Sequence, residues 1–228
     1  MKSVSSKRLY QYWQDLRGDR PAPERRDIEP AAIKSLLSDV FILEHVSGVE
    51  FSYRLAGSSL CAAYCRELKS RSFRQYWNEE DLEALDTMML AIREDAAAAV
   101  VGYHAINQRG QRAPFEMLLL PLRYGGKDYP RILGIAAPSD SDYWLGLHPV
   151  ERHEITAMRL IWPDEQPAFL RHAVNADALM ESDFLNDDRP LGDLVEGDFG
   201  VAIRDSTVSE SRATARRQAF RIIEGGRS

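Results

Sequence analysis

Residues 40–57 read VFILEHVSGVEFSYRLAG. The opening VFILEHV (40–46) has the apolar, β-branched content of a strand, and Ser47-Gly48 supplies a turn. The next run, VEFSYRLAG (49–57), alternates, so Val49, Phe51, Tyr53 and Leu55 share one face. Two such runs across a tight turn predict a β-hairpin. Gly57 permits a sharp exit from its second strand.

Downstream, SSLCAAYCREL (58–68) carries a helical stripe of Leu60, Tyr64 and Leu68, with Cys61 and Cys65 beside it and Ser58 or Ser59 as cap. Residues 72–78 are irregular and hold Phe73, Tyr76 and Trp77. Asn78 followed by Glu79-Glu80-Asp81 predicts a helix over 79–97, its early carboxylates suiting the helix dipole. Three strands follow, 99–108, 113–124 and 129–138, with turns at Arg109-Gly110 and Gly125-Gly126. The near-continuous apolar run from Met117 to Leu122 predicts a central strand buried on both faces. Segment 152–162, RHEITAMRLIW, fits strand or helix, its composition leaning to strand.

Upstream, residues 3–17 place Leu9, Tyr12, Trp13 and Leu16 at helical spacing behind the capping hydroxyls of Ser3 to Ser6. Gly18 ends that helix, and DRPAPERRDIE (19–29) is a charged linker broken by proline. Pro30 opens a short helix with Ile33, Leu36 and Leu37 on its apolar side. The order predicts an α+β fold: a five-stranded antiparallel sheet with helices packed on one face. Residues 1–29 form the leading helix and linker, and 30–162 the domain.

The chain has 228 residues, 29 Lys+Arg and 35 Asp+Glu, a net charge of −6. Residues 163–228 hold 13 acidic and 8 basic side chains, against 22 and 21 before them. That acidic final third has few aromatics and no sustained period, and reads as a largely disordered tail. An acidic chain lacks the basic face that nucleic-acid binding uses. No apolar run approaches the ~20 residues of a membrane helix, and the polar start is no signal peptide, so a cytoplasmic location is expected. Two cysteines four residues apart make neither a disulfide scaffold nor a CxxC site.

The element order resembles the PAS fold. Arg25-Arg26-Asp27-Ile28-Glu29-Pro30, Leu36-Leu37, Val40-Phe41-Ile42-Leu43, Tyr53-Arg54-Leu55-Ala56-Gly57 and the terminal Phe220-Arg221-Ile222-Ile223-Glu224-Gly225-Gly226 resemble a stand-alone bacterial PAS-domain family, found mainly in alphaproteobacteria. The resemblance covers roughly residues 5–162 plus the last few. It implies a sensory or regulatory module rather than a catalyst, with a ligand cavity between sheet and helices.

Phe51, Tyr53, Leu60, Tyr64, Trp77, Met89, Tyr103 and Leu118 are candidates for that cavity's wall, although core filling explains the same pattern. Arg54 could hold an anionic ligand or pair with a helix carboxylate. His104 faces opposite to Tyr103 along its strand, to line a pocket or meet solvent. Cys65-Arg66-Glu67-Leu68 lacks the Asn before and the Gln after the cysteine that flavin-binding PAS relatives carry. Helix 79–97 lacks the histidine of haem-binding ones. No His/Cys spacing suits zinc. No cofactor is therefore named. No G-x-S-x-G, Walker A or G-x-G-x-x-G occurs. The stripe of Leu9, Tyr12, Trp13 and Leu16 needs cover, from the sheet of its own domain or from a second copy, and a homodimer contact is the expectation.

The reading is a cytoplasmic PAS-domain sensory or regulatory protein, not an enzyme. It would act in trans on a protein partner in a signalling pathway, with a small ligand as gate. Two other readings stay open: a small isomerase or hydrolase on an α+β cavity, marked by a buried carboxylate or His without a structural partner, and a ligand-free adaptor.

Overall fold

Ser3 opens helix α1 (Val4–Arg17) by accepting the Ser6 N–H on its hydroxyl at 3.4 Å. Gly18, at a φ of +54°, closes it. The computed structural model describes residues 1–126, 128–140 and 142–164. Of the acidic segment 163–228 it describes only Pro163 and Asp164; the expected disorder lies outside the described residues.

The hairpin forms as expected, β1 (Val40–Ser47) against β2 (Glu50–Ala56), turning at Gly48. Helix α2 (Ser58–Ala63) is shorter than the predicted 58–68, because Cys65 turns to a φ of +49°. The predicted 79–97 helix starts as a single 3-10 turn, Glu79–Asp81, and becomes α3 (Leu82–Asp95), ended by left-handed Ala96. Strands β3 (Ala98–Asn107), β4 (Arg112–Leu122), β5 (Arg131–Pro138) and β6 (Val150–Ile161) complete the fold.

All strands join one antiparallel sheet in the order β2-β1-β5-β4-β3-β6. Six strands, not five, make the sheet. The ambiguous segment becomes β6 because it pairs along the whole of β3, from Ala98↔Ile161 to Asn107↔Val150, and supplies partners for backbone groups that β3 would otherwise leave open.

The period of two sorts the buried residues of β4 onto two faces. Met117 and Leu119 join the core that contains Met88, Met89 and Ile92 of α3. Glu116, Leu118 and Leu120 point the other way, towards α1, where the Glu116 carboxylate accepts the Lys2 and Ser3 backbone N–H groups at 2.6 and 3.1 Å. Helices therefore cover both faces rather than one. Leu9 and Trp13 are buried on this second face, and the Trp13 indole N–H donates to the Pro121 carbonyl at 2.9 Å. The stripe expected between two copies is thus spent within the chain. Tyr12 and Leu16 are half-buried at its margin, Tyr12 accepting the Glu29 N–H at 2.8 Å. Burying a side chain such as Leu9 removes enough apolar surface from water to stabilise by about 2 kcal/mol.

Two glycines are fixed by close approach. A Cβ on Gly57 would run into the carbonyl oxygens of Leu37 and Ser38, so the position serves a close chain crossing as well as the exit turn. A Cβ on Gly134 would enter the ring of Phe41, its register partner across β1 and β5.

Among the described residues, no helix is long and apolar enough to cross a membrane.

Candidate functional site

Segment 70–81 crosses the sheet face that carries α2 and α3, and is tied to both sheet edges. At the β2 edge, Ser70 N–H donates to Tyr53 O at 2.6 Å, Tyr53 N–H to Arg71 O at 2.9 Å, and Phe73 N–H to Phe51 O at 2.8 Å. At the β6 edge, Asn78 N–H donates to His153 O at 3.2 Å, and the Asp81 carboxylate accepts Ile155 N–H at 2.9 Å. Burial is the main reason Asp81 holds its proton more readily than an ordinary aspartate. Backbone pairing thus covers edges that would otherwise stay open and holds Phe73, Tyr76 and Trp77 over the sheet as a strap.

Beneath the strap lies a packed cluster of aromatic rings. Phe51 and Tyr53 come from β2, Tyr64 from the end of α2, Met89 from α3 and Tyr103 from β3, all joined with Trp77 in one buried cluster. These are six of the nine ligand-binding candidates, with Leu60 beside them. The other three fall elsewhere. Leu118 is buried but on the α1 face, because it is one residue out of phase with Met117. Arg54 points outward and pairs with Glu44 of β1 at 3.1 Å, a strand carboxylate rather than a helix one. His104 is half-buried, also out of phase with Tyr103, in register with Pro114 of β4 and Glu154 of β6. Cys61 packs at the cluster's margin, and Cys65 is exposed. No group of three His, Cys, Asp or Glu side chains could hold a metal ion among the described residues.

His153 is the residue the sequence did not single out. It lies on β6, fully buried, with its ring centroid 4.6 Å from Tyr103, 4.7 Å from Trp77, 5.8 Å from Tyr64 and 5.9 Å from Tyr76. Its Nε2 shares a 2.7 Å hydrogen bond with the Tyr64 hydroxyl, which also bonds to Tyr53. Of the buried polar or charged side chains among the described residues, it is the one that joins this cluster. Glu116 and Arg131 lie on strand positions facing the other way, Ser6 and Arg17 on α1, and Asn107 at the end of β3.

Burial sets the protonation states here. It lowers the His153 pKa to about 3, so the imidazole is neutral at physiological pH. It raises the phenols of Tyr53, Tyr64 and Tyr103 well above their usual range, and contacts with neighbouring tyrosines add to the effect. General acid–base catalysis works best with a pKa near the working pH. The buried imidazole and phenols are far from it.

Three buried polar atoms in this cluster have no hydrogen-bond partner among the described residues: Tyr76 Oη, Trp77 Nε1 and His153 Nδ1. Each such atom costs about 1–3 kcal/mol. Two sit on the strap and one on the opposing sheet. The signal for His153 was slight, a lone histidine two residues before Ile155 in a run that read as strand or helix. Its partners come from three separate segments: Tyr64 after α2, Tyr76 and Trp77 on the strap, and Tyr103 on β3.

A family model described as a PAS domain matches residues 1–137, more than half of the chain. Strand β6 and His153 lie beyond that match. No curated protein matches the chain. Two solved structures resemble part of it. One is described as "Flavin Analogue Sheds Light on Light-Oxygen-Voltage Domain Mechanism", with 15% identity, 50% of this chain and 85% of that chain covered, and a TM-score of 0.40. The other is the PAS domain of an HTR-like protein from Haloarcula marismortui, with 18% identity, 47% and 89% covered, and a TM-score of 0.35.

Proposed function

The chain belongs to the PAS domain family, whose members are sensory and signalling modules, and on that premise we propose that it senses a small molecule held under the strap. The observation that supports the reading is the trio of buried polar atoms without a hydrogen-bond partner, Tyr76 Oη, Trp77 Nε1 and His153 Nδ1, within one aromatic cluster. A resident molecule would supply what they lack. The protein acts in trans, in the cytoplasm, on a protein partner. Occupancy favours one setting of segment 70–81, and because that segment is bonded to both β2 and β6, the setting is felt at both sheet edges.

The enzyme reading required a buried carboxylate or His without a structural partner. His153 has Tyr64 on Nε2 and is held neutral by burial, which supports binding over proton transfer.

The test is to unfold the isolated protein in guanidinium, wash away small molecules, refold it and compare melting temperatures. A ligand at about 100 times its Kd stabilises by roughly 2.7 kcal/mol, which for a chain of this size is about 5–10 °C. The stripped protein should melt lower by that order and recover when the washed-out fraction is returned. Identical melting before and after stripping would move the weight to the adaptor reading.

A further inference from the structure

We propose that Phe220-Arg221-Ile222-Ile223, close to the end of this chain, adds a strand to the outer edge of β6 beyond Ile155. The inference is independent of the ligand-sensing reading.

The two edges of the sheet are finished differently. Its end strands are β2 and β6. Along β2, segment 70–73 bonds to the backbone of both Tyr53 and Phe51. Along β6, the strap reaches only as far as Ile155, whose N–H donates to the Asp81 carboxylate at 2.9 Å. On the outer side of Thr156–Ile161, no described residue pairs with the backbone. An open edge is a template for another strand unless proline, lysine or inward charge guards it. The sequence TAMRLI (156–161) has neither proline nor lysine, and one arginine, Arg159. Thr156 and Ala157 are exposed, and Met158 is half-buried against the core.

The chain itself supplies the occupant. Residues 165–228, outside the described residues, follow β6 directly. Among them Phe220-Arg221-Ile222-Ile223 combines an aromatic with two β-branched residues, and an extended backbone puts Phe220 and Ile222 on one face. Its charge is complementary to the site. Residues 211–228 hold five arginines (Arg212, Arg216, Arg217, Arg221 and Arg227) against one acid, Glu224. Next to the open edge, exposed Glu79, Glu80 and Glu83 flank the Asp81 that bonds to Ile155. The other apolar run in this region, Phe199 to Ile203, lies between Asp198 and Asp205 and would bring like charge to those carboxylates. The 55 residues 165–219 are long enough to return the segment to the edge the chain leaves from. Tethering gives it an effective concentration on the order of millimolar, and main-chain pairing supplies the affinity.

Backbone hydrogen exchange in the full chain, resolved by NMR, tests this. The amides of Thr156–Ile161 that point away from β3 should exchange slowly. Ile222→Pro removes a donor and blocks the added strand. It should speed those amides at least tenfold and leave the β3-bonded amides and the Ile155 amide as they were. Arg216→Glu together with Arg217→Glu should speed the same amides severalfold. Fast exchange of the outward amides in the unaltered chain would overturn the proposal. So would slow exchange that Ile222→Pro leaves unchanged, and a dimer in sedimentation would then assign the edge to a second copy. Acceleration spread evenly over β6 would overturn it too, because that reports a loosened sheet rather than an opened edge.

Discussion

Replacing His153 by Phe should flatten the acid side of the protein's stability profile. An unfolded histidine takes a proton near pH 6.5, whereas burial holds the folded one to about 3. Between those values the unfolded chain binds the extra proton, so folding stability falls as pH falls from 6.5 towards 3 and is unaffected by this group well above 6.5. From pH 7.5 to 5.0 the active part of that window is 1.5 pH units, or about 2 kcal/mol. Phenylalanine keeps a ring among Tyr103, Trp77 and Tyr64 but has nothing to protonate. Urea unfolding at half-unit pH steps, followed by fluorescence, gives both profiles. Carboxylates common to the two proteins cancel in the difference. The wild type should lose about 2 kcal/mol more than the variant over this range, whatever their offset at pH 7.5. Parallel profiles would refute the burial assigned to His153, and with it the neutral imidazole.

Three further outcomes test the frame that holds the site. Gly134→Ala drives a methyl into the Phe41 ring and should cost about 3 kcal/mol in urea unfolding; adding Phe41→Leu should restore part of that loss rather than add to it. Gly57→Ala meets two backbone carbonyl oxygens and should be at least as costly, with no side-chain change able to rescue it. Leu9→Ala should cost about 3 kcal/mol and leave the oligomeric state in sedimentation unchanged; lost self-association at unchanged stability would restore the pairing role for α1.

The parts of the fold that depend on local pattern were legible in the sequence. Ser3 caps α1, Gly48 turns the hairpin, and Met117 to Leu122 form the strand buried on both faces. What depended on distant partners was not. RHEITAMRLIW mixes charged and apolar residues because β6 is an edge strand, and only β3 decides that it is a strand. Leu118 looked like its neighbours because both faces of β4 are apolar, so composition could not say which face meets α3. The α1 stripe announced that it needed cover without saying from where. Six of the nine ligand-site candidates converge, since aromatic residues at structural periods mark the core face. His153 escaped because its role comes from burial and from Tyr64, far away in the chain.

Native mass spectrometry of freshly isolated full-length protein, set against its denatured mass, tests the central claim most directly. The predicted result is an additional non-covalent mass that is lost on denaturation. A bare chain mass, from a protein whose melting temperature is also unchanged by stripping, would contradict the claim that the domain holds a small molecule.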